Sequence, residues 1–251
     1  DLLAGPDTIV SRGYKLDMPE LGERQLADLR IGIWRSNEDF PVATEVEERV
    51  NLVAAALRDA GAQINETARP AFAADDSHRI YQHLLQATMA SRMPDESYKS
   101  LVEHAKTLDA NDDSDSARVF RGQVSSFRDW AAANEARHKL RWAWHEYFSE
   151  FDALVMPIMP TAAFSHDHRP MGERTTLVDN EERPYFEQVF WAGLTGLAYL
   201  PSTVIPTGLN KDGLPIGVQI VGPEYGDLVT IGIAQELERL GFDFTPPDAY
   251  R

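Results

Sequence analysis

The fold of this chain follows from residues 200–222, which read Leu-Pro-Ser-Thr-Val-Ile-Pro-Thr-Gly-Leu-Asn-Lys-Asp-Gly-Leu-Pro-Ile-Gly-Val-Gln-Ile-Val-Gly. Two apolar, β-branched runs flank the polar segment 210–213, a pattern that predicts two adjacent strands joined by a tight turn. In the second run only Gln219 interrupts the apolar residues, so we expect that strand to be buried on both faces. Gly217 and Gly222 leave room for another backbone or a ligand to approach closely.

Composition narrows the class of protein. The 251 residues are 43% hydrophobic and 10% aromatic, which is enough for a sizeable core in one large or two modest domains. Lys and Arg number 24 against 40 for Asp and Glu, and the formal charge of −16 argues against nucleic acid or an anionic membrane as a partner. The absence of cysteine excludes disulfides, thiolate metal sites and a cysteine nucleophile. No apolar run approaches the about 20 residues that span a bilayer, and we find no secretory signal, so we expect a cytoplasmic protein.

Residues 29–66 predict a βαβ unit. A strand at 29–34 precedes a helix that starts at a Thr44-x-x-Glu47 capping box, and residues 62–66 return as a second strand. The usual handedness makes the crossover right-handed. The apolar stripe of the helix consists of Val46, Val50, Val53, Ala54 and Leu57.

Residues 76–148 carry apolar side chains at helical spacing and predict a helical subdomain packed over part of the sheet. The last and longest of its helices is expected from about residue 118 to 148. Residues 1–28 are expected to hold the end of a preceding helix and a connector, so the chain looks as if it starts in the middle of a fold. The remaining residues, 29–251, form the α/β domain that contains the helical insertion.

The segment 161–183 shows no periodicity. A loop of that length inside a compact domain is uncommon unless it covers a site or is mobile. A short apolar strand at 151–157 precedes it, and residues 185–199 predict an apolar helix or turn that leads into the hairpin. A last helix is expected at 228–240.

Three local patterns contain reactive residue types but lack the rest of a site. The His-Asp-His run at 166–168 has no third metal ligand at a recognisable spacing. Residues 109–120 resemble a calcium loop, yet position 6 is Ser and position 12 is Phe in place of Gly and Glu. The Ser-His-Asp run at 165–167 has no Gly-x-Ser-x-Gly elbow, and adjacent residues in one loop rarely point at one another. Spacing and composition therefore predict no catalytic constellation.

The hairpin stretch nevertheless closely resembles the C-terminal signature of the amidase signature family. Residues 67–148 and 161–185 match that family only in helical character or not at all. The supporting pieces, in the order of the family, are Asp-Leu-Leu-Ala-Gly-Pro-Asp at 1–7, Leu-Arg-Ile-Gly-Ile at 29–33, Leu-Arg-Asp-Ala-Gly-Ala at 57–62, Phe-Asp-Ala-Leu-Val-Met-Pro at 151–157, Thr-Gly-Leu-Ala-Tyr-Leu-Pro at 195–201 and Ala-Gln-Glu-Leu-Glu at 234–238. The resemblance implies an α/β fold with a mixed β-sheet flanked by helices.

The resemblance also implies a chemistry. Members of the family hydrolyse or transfer amides with a Ser-Ser-Lys triad, in which an activated serine attacks the amide carbonyl and backbone N–H groups hold the oxyanion. That triad belongs to a Gly/Ser-rich region that precedes the part of the family seen here, and this sequence has no Gly-Ser-Ser-Gly-Gly-Ser loop. We therefore assign no catalytic residue and expect the chain alone to be inactive.

The resemblance implies a contribution to substrate binding. In the family, the loop after the Phe-Asp-x-Leu strand and the Thr-Gly-x-x-x-Leu-Pro turn border the cleft. The candidate substrate-binding residues are Pro157, Thr161, Trp191, Thr195, Gly196 and Tyr199. At each of these positions the alternative is a purely structural role in shaping a turn. No cofactor and no metal are expected.

The resulting hypothesis is an amide (C–N) bond hydrolase to which this chain supplies the C-terminal half and part of the pocket. The expected partners are a small-molecule amide substrate and the missing N-terminal catalytic half, with a homodimer as a further option. Gly217 and Gly222 would make room for packing against that missing half. One alternative is an amidotransferase subunit of the same family, and another is a non-catalytic α/β binding or interaction module, which the missing triad supports.

Overall fold

A five-stranded mixed sheet forms the centre of the protein. The computed structural model describes residues 4–112 and 114–247. The strands of the main sheet are β1 Arg30–Ile33, β2 Gln63–Asn65, β3 Ala153–Pro157, β6 Ser202–Leu209 and β7 Pro215–Val221, and a separate hairpin consists of β4 Thr175–Val178 and β5 Glu181–Pro184. The order across the main sheet is β2-β1-β3-β7-β6, in which β1 is parallel to β2 and β3, and β7 is antiparallel to β3 and β6. The predicted mixed α/β architecture is therefore confirmed.

Helices cover both faces of the sheet. They are α1 Thr44–Asp59, α2 Ala74–Ala90, α3 Asp95–Ala105, α4 Asp115–Gln123, α5 Phe127–Glu150, α6 Phe190–Leu197 and α7 Asp227–Arg239. Because side chains alternate along a strand, Val155 of β3 packs with α1 and α7, whereas Leu154 and Met156 pack with α5 and α6. The predicted apolar stripe of α1 is buried at all five positions.

The hairpin of β6 and β7 forms as the sequence predicts. The side-chain oxygen of Asn210 accepts hydrogen bonds from the backbone N–H groups of Asp212 at 3.0 Å and Leu214 at 2.9 Å. Gly213 has φ +76°, a left-handed conformation that glycine adopts without strain. Strand β7 lies between β3 and β6, and residues 218–221 are fully buried.

The two glycines of the hairpin region make room for side chains of this same chain. A Cβ atom on Gly217 would lie 2.8 Å from Cγ1 of Val204, and one on Gly222 would lie 2.7 Å from Cγ2 of Thr230. The prediction that they make room for a missing half is therefore wrong, because β6 and α7 already fill the space.

Helix α1 begins at Thr44, but the predicted capping box does not form. The N-cap residue is Ala43, which has no side-chain hydrogen bond. The backbone N–H and the hydroxyl of Thr44 instead donate to the two carboxylate oxygens of Asp179, at 3.0 and 2.9 Å. Asp179 lies in the turn between β4 and β5, so a residue distant in sequence caps the helix.

Replacing Asp179 with alanine is expected to lower the free energy of unfolding by about 1–2 kcal/mol, because the change removes the cap and a negative charge at the positive end of α1. The midpoint of urea unfolding measures this effect. Asp212→Ala is the matched control, since only the backbone N–H of Asp212 forms a hydrogen bond in its turn. Equal midpoints for the two variants would contradict the assigned cap.

Two further expectations differ from the structure, and a third lies largely outside the described residues. The single long helix predicted from 118 to 148 is divided into α4 and α5, because Ser126 caps α5 by accepting a hydrogen bond from the backbone N–H of Asp129 at 3.2 Å. The segment 161–183, predicted as irregular, contains strand β4 and most of β5, whose largely polar side chains give little alternation. Much of the predicted helix end at the N-terminus, residues 1–3, lies outside the described residues.

Candidate functional site

A buried amide side chain connects three elements that carry or adjoin the predicted site residues. Gln219 is 0% exposed. Its Nε2 donates to the carbonyl oxygens of Pro157 at 2.7 Å and Trp191 at 3.3 Å, and its Oε1 accepts a hydrogen bond from Ser202 Oγ at 2.6 Å. The end of β3, the start of α6 and the start of β6 are thereby held at one point. The sequence analysis missed this role, although a polar residue in an apolar strand was a signal for it.

Pro157 and Trp191 meet at this junction through Gln219, and Thr161 is hydrogen-bonded to a residue just before α6. Trp191 is fully buried and packs edge to face against Trp34, with ring centroids 5.6 Å apart. Thr161 Oγ1 donates to Gln188 Oε1 at 3.4 Å, and Gln188 lies two residues before the start of α6. The indole of Trp191 therefore lies beneath the protein surface and packs there against Trp34.

The other predicted residues lie in the last turn of α6 and just after its end. Thr195 is 4% exposed, and its hydroxyl donates to the carbonyl oxygen of Ala192 at 3.1 Å. Gly196 is exposed, with open space where a side chain would be. Tyr199 is half exposed and has φ +59°. This group therefore presents Gly196 and Tyr199 to solvent, while Thr195 stabilises the helix end.

Two arginines of α5 hold the ring of Tyr199. The guanidinium carbons of Arg137 and Arg141 lie 4.6 and 5.2 Å from the ring centroid. Arg141 also donates to both carboxylate oxygens of Glu224, at 2.7 and 2.6 Å, and this contact raises the pKa of Arg141. A left-handed tyrosine costs about 1–3 kcal/mol of strain, which these cation–π contacts help to offset.

A concave pocket of about 630 Å³ opens between α2, α4 and residues 172–187, and we call it the α2–α4 pocket. Its volume falls within the range of about 300–1,000 Å³ that is usual for small-molecule sites. Three segments line it: from α2, His78, Arg79, Gln82, His83, Gln86 and Met89; from residues 116–123, Ser116, Arg118, Val119, Phe120, Arg121 and Gln123; and from residues 172–187, Gly172, Arg174, Pro184, Tyr185, Phe186 and Glu187.

None of the six predicted site residues lines the α2–α4 pocket. Most of its wall comes from residues 67–148 and 161–185, the two segments that the family resemblance covers poorly. No local sequence pattern indicates this pocket, because its wall is built from three segments that lie far apart in the chain. Sequence reasoning therefore missed the pocket.

The reactive runs that the sequence analysis set aside form no catalytic arrangement. The carboxylate of Asp167 binds the guanidinium of Arg169 at 2.7 Å, and this contact lowers the pKa of Asp167 to about 2. The ring centroids of His166 and His168 are 6.3 Å apart. Among the described residues, no three His, Cys, Asp or Glu side chains converge as a metal site would require. Asp113, in the calcium-like segment, lies outside those residues.

A helix that spans a bilayer needs about 20 predominantly apolar residues. Across residues 4–112 and 114–247, none has the length and apolar character to cross one.

The α/β fold and the ordered signature pieces agree with a match to a known family. The sequence profile of the family described as Amidase matches residues 6–230. The chain therefore belongs to the amidase signature family.

Curated relatives extend beyond the length of this chain. A glutamyl-tRNA(Gln) amidotransferase subunit from Koribacter versatilis (strain Ellin345) is 25% identical over 260 residues, covering 95% of this chain and 52% of that protein. The protein of the same name from Leptospira interrogans serogroup Icterohaemorrhagiae serovar Lai (strain 56601) is 30% identical over 123 residues, covering 49% of this chain and 23% of that protein. The chain spans about half the length of the Koribacter relative.

Solved structures share the fold. A bacterial aryl acylamidase of the amidase signature family superposes with a TM-score of 0.67 at 20% identity, covering 95% of this chain and 49% of that one. The 6-aminohexanoate cyclic dimer hydrolase superposes with a TM-score of 0.59 at 19% identity, covering 95% and 52%. At these identities the similarity defines the architecture alone.

Proposed function

We propose that this chain is part of an amide (C–N) bond hydrolase and builds part of its substrate pocket. The observation that carries the proposal is the family match over residues 6–230. The names of two proteins with the same fold, an aryl acylamidase and a cyclic dimer hydrolase, support hydrolysis as the reaction.

Under this proposal the acting groups of the Ser-Ser-Lys triad are not among these 251 residues. The absence of a Gly/Ser-rich loop supports that assignment. An activated serine would attack the amide carbonyl, backbone N–H groups would hold the oxyanion, and water would release the acyl-enzyme. The residues proposed to border the cleft are Pro157, Thr161, Trp191, Thr195, Gly196 and Tyr199.

The contacts of Gln219 support the proposal that this side chain positions two of the cleft residues, Pro157 and Trp191. Its amide holds the end of β3 against the start of α6, and Pro157 and Trp191 supply the two carbonyl oxygens that it binds. The exposed Gly196 would let a substrate approach the backbone at the end of α6. The division into residues 1–28 and 29–251, with a helical insertion at 76–148, and a cytoplasmic location are parts of the same proposal.

Neither amide hydrolysis nor labelling by a serine-directed fluorophosphonate is expected from the 251-residue chain. A family member with a complete triad serves as the positive control for both measurements. Turnover, or stoichiometric labelling of this chain, would overturn the assignment of the triad to other sequence. Labelling and amide turnover by a longer product of the same gene are the results that support a hydrolase.

A second candidate is a role within an amidotransferase complex, which the names of the Koribacter and Leptospira relatives favour. Transfer that depends on ammonia, together with co-purification of other subunits, would support it over a free amidase. A non-catalytic binding module is the third option. Reading the gene upstream of Asp1 tests it, since a Gly/Ser-rich segment there is expected for either enzyme and not for a binding module.

A further inference from the structure

The main sheet has two edge strands, and the first of them, β2, is protected against pairing with another strand. It has only three residues, of which Gln63 and Asn65 are polar and exposed. Directly after it, the carboxylate of Glu66 binds Arg35 and Arg58, each at 2.7 Å. Short length, polar side chains and nearby charges are the usual protection of an edge. The sheet therefore ends at β2.

The other edge strand, β6, lacks this protection. It has eight residues and none of them is charged. The side chains of Val204 and Leu209 are 49% and 55% exposed. Within residues 4–112 and 114–247, β6 pairs with β7 and with no second strand. A long, uncharged edge strand with exposed apolar side chains is a site at which another strand can pair.

The pairing of β6 with β7 shows which backbone groups of β6 point away from the sheet. The N–H of Gly222 donates to the carbonyl oxygen of Pro201 at 3.1 Å. Hydrogen-bonded and non-hydrogen-bonded pairs alternate along an antiparallel ladder, so Thr203 and Ile205 are the next residues that bond to β7. Every second residue from Ser202 therefore turns its N–H and C=O outward.

The outward-facing groups are open over a short stretch. Pro206 offers only its carbonyl oxygen, because proline has no N–H and is tolerated at the outer side of an edge strand. Beyond it, Arg49 of α1 donates to the carbonyl oxygens of Thr207 at 3.0 Å and Leu209 at 2.6 Å. The open stretch is therefore 202–206, and its outward N–H and C=O groups have no partner in the described part of the chain.

This open stretch begins next to the proposed cleft. Ser202 Oγ donates to Gln219, whose amide binds the carbonyl oxygens of Pro157 and Trp191. The exposed Tyr199 precedes the stretch by three residues. A strand added at this edge would therefore lie near the residues that are proposed to border the cleft.

We propose that the catalytic half, which the proposed function assigns to sequence before Asp1, adds an extended strand to the edge of β6 at residues 202–206. The occupant is argued from length. This chain covers 52% of the Koribacter subunit and 49% of the aryl acylamidase, so each of those proteins contains about as much chain again. The main-chain hydrogen bonds of an added strand supply affinity. This inference rests on the proposed function and adds to it the contact that holds the two halves together.

Hydrogen exchange resolved to single amides tests the proposal on the 251-residue chain and on a longer product of the same gene. In the 251-residue chain, the amides of Ser202 and Val204 are expected to exchange fast, because they point outward. In the longer product they are expected to exchange about 100-fold more slowly or less, since the amides of a paired strand exchange only when the strand opens. Thr203 and Ile205 are internal controls, because β7 protects them in both proteins.

Val204→Lys and Leu209→Lys form a matched pair of variants of the longer product. Both replace an apolar residue of β6 that is about half exposed, but only Val204 lies in the open stretch. Because lysine on an edge strand opposes pairing, Val204→Lys is expected to speed exchange of the Ser202 amide about 10- to 100-fold. Leu209→Lys is expected to change it by less than about threefold. In the 251-residue chain, neither variant is expected to change the exchange of Ser202.

Fast exchange of Ser202 and Val204 in the longer product would overturn the inference, and that result requires no variant to fold. Protection that instead rises with the concentration of the 251-residue chain would assign the edge to a second copy and would also overturn it. A gene that encodes no segment before Asp1 would do the same. Amide turnover separates the two proposals. Turnover with an unprotected edge would refute only the docking, whereas a protected edge without turnover would refute only the hydrolase.

Discussion

Gly32→Ala is expected to lower the free energy of unfolding by about 3 kcal/mol, at the upper end of the usual range for overpacking a core. A Cβ atom on Gly32 would lie 1.8 Å from the hydroxyl oxygen of Tyr147 and 3.2 Å from Cδ1 of Leu154. Strand β1 cannot move aside, because it is hydrogen-bonded to β2 on one side and β3 on the other. The clash therefore falls on α5, which carries Tyr147.

The urea midpoint of Gly32→Ala can be compared with that of Gly13→Ala. Gly13 is exposed, and nothing lies within 4 Å of the position that a Cβ atom would take there, so its variant is expected to stay within about 0.5 kcal/mol of the wild type. Similar midpoints for the two variants would contradict the assigned contact.

Tyr147→Phe is expected to rescue much of the loss at Gly32. The hydroxyl of Tyr147 is buried without a hydrogen-bond partner among the described residues, and burial raises its pKa. Removing it takes away the atom nearest to the new methyl group, so the double variant should be more stable than Gly32→Ala alone. The single Tyr147→Phe variant is expected to be neutral or stabilising by about 1 kcal/mol. An additive double variant would show that the two residues do not interact.

Gln219→Leu is expected to destabilise the protein by about 3 kcal/mol. The change leaves the carbonyl oxygens of Pro157 and Trp191 without this donor inside the core, and each unpaired buried group costs about 1–3 kcal/mol. Ser202 also loses its acceptor, but it is exposed and can bind water. The loss should loosen the end of β3 and the start of α6 together, where the proposed cleft residues lie.

Ser202→Ala measures how much one of the hydrogen bonds of Gln219 contributes to stability. It removes one of the three hydrogen bonds and is expected to cost about 1 kcal/mol. Gln219→Glu keeps the size of the side chain but directs an acceptor at two carbonyl oxygens, so it is expected to be least stable at neutral pH. Because only a protonated acid can donate, its stability should rise as the pH falls. A Gln219→Leu midpoint equal to that of Ser202→Ala would contradict the three-way junction.

The parts of the fold that the sequence predicted are those with a local cause. The Asn210–Gly213 turn forms because its Asn and Gly suit a tight connection, and the stripe of α1 is buried because its spacing follows the helix. The expected capping box at Thr44 failed for the opposite reason. The backbone N–H of Thr44, which the capping box would have used, instead donates to the carboxylate of Asp179, 135 residues away.

The candidate site divides in the same way. The family resemblance predicted Pro157 and Trp191 as neighbours of a cleft, and this stays a prediction. The structure shows that Gln219 binds the carbonyl oxygens of both residues. Nothing in the local pattern around Gln82, Gln123 or Arg174 indicated that they would share a cavity. These residues are too far apart in sequence for helical periodicity or turn patterns to predict that they lie near one another.

By itself, the sequence determined the mixed α/β architecture, the hairpin at residues 200–222 and the family, because strand alternation, turn residues and signature order are properties of short segments. Only the tertiary structure decided which helix cap forms, what occupies the space at Gly217 and Gly222, and where the α2–α4 pocket opens. Those outcomes depend on contacts between segments far apart in the chain, and their free energies exist only once the segments have packed.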